Sequence, residues 1–129
     1  MSEPIYHMVA SGPRPVAPFS HAVEVDGWVF VTGQMPTDPA TGELVAGDVV
    51  AQTKQVFRNL AAVLAHFDAT LDDALMVRVY LTDFSDFDRF NAEYVTWFTG
   101  PLPSRTCVGS TGLAVGATVE IDLIVGLPS

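Results

Sequence analysis

The stretch 101–125, PLPSRTCVGSTGLAVGATVEIDLIV, constrains the fold more than any other part of this 129-residue chain. It sets Arg105 in one strand-like run, two residues before Cys107, the only cysteine, and Glu120 in a second, largely apolar run. Charges are seldom placed inside buried strands without a partner or a ligand. Gly109, Gly112 and Gly116 lie between the runs. A hairpin turning at Gly112 and Leu113 would pair residue 105 with residue 120, with their Cβ atoms about 5 Å apart on one face. Two readings of that pair stand: a structural cross-strand ion pair, or a site in which Arg105 holds an anion and Glu120 handles a proton or a water.

The rest of the chain predicts a single domain over 1–129. Pro4, Pro13, Pro15 and Pro18 allow at most an edge strand near residues 6–9. Residues 22–26 and 28–33 read as a hairpin around Asp26-Gly27, with both faces covered. Residues 38–42, DPATG, read as a surface turn. A helix is expected over about 48–66, with Gln52, Lys54, Gln55 and Arg58 on its outer face. Thr70 to Asp73 form a cap or turn. Residues 75–81 form a strand that sets Arg78 beside Met76 and Tyr80 and opposite Val77 and Val79. A second helix is expected to start at Ser85 as cap, with Asp88 three residues on, to bury Phe87, Phe90, Tyr94, Trp97 and Phe98, and to stop at Gly100-Pro101. Two helices cover one sheet face only, so something else must cover the other.

Composition narrows the function classes. Hydrophobic residues make up 49% of the chain and charged residues 16%, which leaves apolar surface for a second subunit. The net charge is −9, and the six basic residues are scattered, which argues against nucleic acid as a partner. No apolar run is long enough to span a membrane, and MSEPIYHMV lacks the pattern of a signal peptide. A lone cysteine fits a reducing cytoplasm. Cys107 has no candidate base near it in sequence and reads as a small hydrophobe. No metal site is expected, because His7, His21 and His66 are far apart in the sequence and lack ligand-spaced partners.

PSRTCV followed by VEIDLIV, together with PFSHAV, FVTGQMPTDPATGEL and FNAEYVTWF, resembles the RidA/YjgF family of enamine/imine deaminases, also called L-PSP endoribonucleases. The resemblance covers nearly the whole chain. It implies an α+β fold like the Bacillus type of chorismate mutase: a six-stranded mixed sheet with two helices on one face, in a trimer with a barrel-like centre and sites between subunits. It implies a 2-iminobutanoate/2-iminopropanoate-type deaminase that turns 2-aminoacrylate or related 2-imino acids into 2-keto acids and ammonia, without a cofactor. Arg105 would grip the substrate carboxylate, and Glu120 would position water and shuttle protons. Phe19, Thr32, Gly33, Asn91 and Cys107 would line the substrate pocket. Arg105 beside Glu120 would lower the carboxyl pKa and weaken it as a base.

Two departures from the family pattern matter. Phe19 stands where many of these deaminases have a tyrosine, so a hydroxyl is missing. The short side chains of Gly109-Ser110-Thr111-Gly112 would widen the cleft. Both keep open a pathway-specific deaminase, for example on an aminomuconate-like substrate. A non-catalytic, chaperone-like trimer that binds carboxylates or proteins is the reading from another class. His21 reads as structural, with a catalytic role as the lesser reading.

Overall fold

A computed structural model describes residues 2–128. The elements run β1 (Ile5–His7), β2 (Ala22–Val25), β3 (Trp28–Gln34), α1 (Val49–Ala65), β4 (Ala74–Leu81), α2 (Phe87–Tyr94), β5 (Ser104–Gly109) and β6 (Val119–Gly126). All six strands join one sheet in the order β1-β2-β3-β6-β4-β5. Every pairing is antiparallel except β4–β5. The β2–β3 hairpin forms where the sequence predicts it. Asp26 and Gly27 both take positive φ (51° and 82°), the geometry of a two-residue turn whose twist matches its strands.

The expected hairpin between residues 105 and 120 does not form. β6 lies between β3 and β4, while β5 is an edge strand parallel to β4. The burial of each strand explains this. In β6, Val119, Ile121, Asp122, Leu123 and Val125 are all buried, a run that needs partners on both sides. In β5 only Arg105 and Cys107 are partly covered, which suits an edge. The chain therefore makes a β4–α2–β5 unit and then crosses back to the middle of the sheet.

Both helices pack on one face. Val56, Phe57, Leu60, Val63 and Leu64 of α1 meet Val29, Val31, Val77, Val79, Ile121 and Leu123 of the sheet. Truncating one of these, such as Leu60→Ala, would cost about 2–5 kcal/mol. The carboxylate of Asp48 caps α1 by accepting from the N–H groups of Val50 and Ala51, a cap that contributes about 1 kcal/mol. Gln52 is not on an outer face: it is buried, and its carbonyl oxygen accepts from the N–H and hydroxyl of Thr118.

Helix two starts differently from expectation. Asp83, not Ser85, caps a short 3-10 turn over Phe84–Asp86 that leads into α2. The Asp83 carboxylate accepts from both the N–H and the hydroxyl of Ser85. A charged acceptor outcompetes a hydroxyl for the free N–H groups at a helix start. The helical path ends with another 3-10 turn at Trp97, ahead of Gly100.

In the single chain the other sheet face is open. Trp28 and Phe30 are 47% and 44% exposed there. Among the described residues no helix is long and apolar enough to cross a membrane.

Candidate functional site

Arg105 is aligned with Val77 of β4, so its side chain stands on the helix side of the sheet. There it meets α2. Its guanidinium carbon lies 4.7 Å from the ring centre of Tyr94, 5.6 Å from that of Phe90 and 5.7 Å from that of Phe87. Residues 87, 90 and 94 share one helix face by their spacing of three and four. They form an aromatic floor that attracts a cation. Among the described residues Arg105 has no ion-pair partner, in contrast to Arg78 and Arg89. Its hydrogen-bonding fork is therefore uncommitted to any carboxylate.

Two polar atoms beside this floor are buried without a hydrogen-bond partner: the hydroxyl of Tyr94 and Oδ1 of Asn91. Burial raises the Tyr94 pKa, and the guanidinium of Arg105 pulls it back in part. Burial likewise pushes the Cys107 thiol up, with Arg105 acting in the opposite direction. A raised thiol pKa disfavours the nucleophilic thiolate. Asn91, Arg105 and Cys107 thus belong to the β5–α2 side of the molecule.

Glu120 belongs to the opposite face. It is aligned with Tyr80, which with Arg78 alternates with the core residues Val77, Val79 and Leu81 and so faces away from the helices. Its carboxylate lies against Gly33, where β3 and β6 shift register. A Cβ at residue 33 would meet that carboxylate, so a side chain there would have to displace the Glu120 side chain. Burial raises the Glu120 pKa, and the nearby Asp122 carboxylate raises it further. Asp122 itself accepts from Arg78 Nε at 2.8 Å and from the Tyr80 hydroxyl at 3.1 Å. Arg78 is thereby engaged by Asp122, and among the described residues Glu120 has no ion-pair partner.

A cleft of about 500 Å³ opens on the same face, lined in part by Phe19, Thr32, Gly33, Arg78 and Asp122. The structure therefore divides the residues named from sequence into two groups. Phe19, Thr32, Gly33 and Glu120 gather at the open face; Asn91, Arg105 and Cys107 gather beside α2. Arg105 and Glu120 are not cross-strand partners, and β4 separates their strands. Within one chain Arg105 does not lower the Glu120 pKa; burial and a like charge raise it instead.

Sequence reasoning missed the Arg78–Tyr80–Asp122 network. Strand alternation carried the signal: residues 78 and 80 share a face, and 122 shares one with 120. His21 fits its structural reading. His21 is buried, accepts from the Val9 N–H at Nδ1 and donates from Nε2 to the Pro13 carbonyl. Both its nitrogens are spent on the backbone, which makes it a structural tie. His7 and His66, far apart in sequence, lie with Nδ1 and Nε2 3.1 Å apart.

The family model described as Endoribonuclease L-PSP matches residues 9–127. A RutC family protein of Pyrococcus abyssi is 40% identical over 112 residues, covering 87% of this chain and 88% of that protein. The 2-iminobutanoate/2-iminopropanoate deaminase of Mus musculus is 37% identical over 112 residues, covering 87% and 83%. The crystal structure of RidA from an Antarctic Psychrobacter superposes with a TM-score of 0.86 at 37% identity, covering 90% of this chain and 94% of the other.

Proposed function

The chain belongs to the endoribonuclease L-PSP family, the RidA/YjgF family that includes imine deaminases, and from that premise we propose that it hydrolyses 2-imino acids to 2-keto acids and ammonia. The observation that carries this reading is Arg105, a guanidinium held on three rings with no carboxylate of its own among the described residues. Such a fork accepts a planar carboxylate through two parallel hydrogen bonds. A 2-imino acid offers that carboxylate next to its C=N carbon.

Glu120 supplies the proton chemistry. Water adds to the imine carbon and passes a proton to Glu120 as the C–O bond forms. The nitrogen takes up protons, the C–N bond breaks and ammonia leaves. The hydroxyl proton of the intermediate departs as the keto group forms. Within one chain burial and Asp122 raise the Glu120 pKa, and Arg105 of the neighbouring subunit would act in the opposite direction in the shared cleft. The tetrahedral intermediate would be held by backbone groups near Gly33 and Cys107.

Because Arg105 and Glu120 belong to opposite faces of one sheet, the reading requires the Arg105 corner of one subunit to meet the Glu120 corner of the next. A homotrimer with three such clefts meets that requirement. It would also cover Trp28 and Phe30, which a lone chain exposes.

The test is to form mixed assemblies of Arg105→Ala and Glu120→Ala chains and to follow keto acid release from imines generated by an amino-acid oxidase. Each variant alone should be nearly inactive. Random mixing should restore about a quarter of the clefts, since each then draws one intact residue from each neighbour. No recovery in assemblies shown to be mixed would sink the shared-cleft reading. No acceleration by wild type across a panel of amino acids would favour a carboxylate-binding protein.

A further inference from the structure

A second constellation lies at the β1 edge of the sheet, away from Arg105 and Glu120. His7 and Glu24 sit on paired strands, and His66 is the residue that ends α1. His7 Nε2 lies 2.9 Å from Glu24 Oε1, and His7 Nδ1 lies 3.1 Å from His66 Nε2. An ionised carboxylate only accepts, so Nε2 of His7 carries a proton and donates to Glu24. That leaves Nδ1 of His7 to face the second imidazole. The ring of Phe67 packs edge-on against both, with centroid distances of 4.6 Å to His7 and 5.0 Å to His66.

We propose that His7 Nδ1 and His66 Nε2 together bind a divalent transition metal ion, Ni2+ or Cu2+, with Glu24 orienting His7. Three features of the cluster carry this. With metal–nitrogen bonds of about 2.1 Å, nitrogens 3.1 Å apart subtend roughly 95° at the ion. That angle suits neighbouring positions of a square or octahedral site better than a tetrahedral one, which selects Ni2+ or Cu2+ over Zn2+. A histidine that ligates through one nitrogen commonly donates its other N–H to a carboxylate, as His7 does to Glu24. The site also lies at the C-terminal end of α1, the negative end of the helix dipole, which favours a cation.

Binding needs one rearrangement. Whichever ring donates across the 3.1 Å contact must lose that proton. For His66 the proton can move to its own Nδ1, with no net release. Among the described residues no three His, Cys, Asp or Glu side chains are placed to share a metal, so water completes the coordination. The ion would bridge a three-residue edge strand to α1, two elements otherwise joined here by a single side-chain hydrogen bond between the rings.

The experiment uses the full chain, with any affinity tag removed, and NiCl2 as the probe. Calorimetry should count one Ni2+ per chain, and Ni2+ should raise the melting temperature. Affinity should fall as the pH is lowered, since protons compete for both rings. His66→Ala should lose the high-affinity site and the thermal shift. His66 is exposed and in ordinary helical conformation, so this variant keeps the fold. Glu24→Gln should bind about 10- to 100-fold more weakly. Equal Ni2+ binding by wild type and His66→Ala would overturn the proposal, as would no binding by wild type at millimolar Ni2+.

Discussion

Arg105 and Glu120 are both half-buried charges without an opposite charge beside them among the described residues, yet they are built in different ways. Elsewhere the chain pairs its charges, as in Arg78–Asp122 and Arg89 with Asp48 and Asp86. At the Arg105 corner the support is three aromatic rings of one helix, which hold a cation without neutralising it. At the Glu120 corner the support is a glycine, a like-charged neighbour and burial, which together favour the protonated acid. One corner offers a guanidinium fork. The other keeps a proton that can come and go. Binding needs the first and proton transfer the second, and neither corner can substitute for its counterpart.

The harshest way to break this contrast is to remove the guanidinium fork. Arg105→Ala should lower kcat/KM for 2-iminopropanoate by at least about 100-fold, since two charge-assisted hydrogen bonds vanish together. Melting temperature should fall modestly, because only the contacts with the three rings are lost and no ion pair. Arg105→Lys should recover only part of the loss, as an ammonium lacks the planar fork. Full activity in Arg105→Ala would remove the basis for the whole contrast.

The titratable corner should respond less steeply and with a signature in pH. Glu120→Gln should slow turnover by about 10- to 100-fold, the range of one lost acid–base group. Its effect on stability has the opposite sign. A carboxyl whose folded pKa is raised favours the fold only while protonated, below its unfolded pKa, and loses that benefit as pH rises through the folded value. Wild type and Glu120→Gln should therefore be about equally stable in acid, and Glu120→Gln the more stable at neutral pH. Denaturant titrations at several pH values check this. A wild type that gains stability over Glu120→Gln with rising pH would mean that a cation, such as Arg105 of the neighbouring subunit, reaches the carboxylate. Gly33→Ala should follow, with a loss of about tenfold, because the added methyl displaces the Glu120 carboxylate without removing it.

The elements were legible in the sequence, and their arrangement was legible only in part. Apolar periodicity marked α1 and β4, and Asp26-Gly27 marked the first hairpin, because those signals are local. The glycines between residues 109 and 116 misled, because a nearby turn is not the strongest claim on a strand. The buried residues of β6 demanded two neighbours, and only a central position supplies them. Once β6 moved to the centre, Arg105 and Glu120 parted, and within one chain the supposed lowering of the Glu120 pKa went with their separation. The resemblance to the family named residues at both corners, but it named no faces. Asp122 shows the cost: it lies two residues from Glu120, and alternation alone puts its charge on the same side.

The smallest expected effect tests whether Phe19 belongs to the chemistry at all. Phe19 lines the open-face cleft with Thr32 and Gly33, but its ring offers no hydrogen bond where family deaminases carry a hydroxyl. Phe19→Tyr adds that one group to a wall already in place. A single hydrogen bond to a substrate or bound water is worth about 0.5–1.5 kcal/mol, which predicts a rise in kcat/KM of roughly two- to tenfold. The gain should be greatest for small imines such as 2-iminopropanoate, which leave room for a water beside the new hydroxyl. It should be least for imines with bulky apolar chains, which fill the cleft and strand the hydroxyl. A uniform response across the panel would mean that Phe19 only packs. A loss confined to the bulky substrates would mean that phenylalanine is here because the natural substrate is large and apolar at that end.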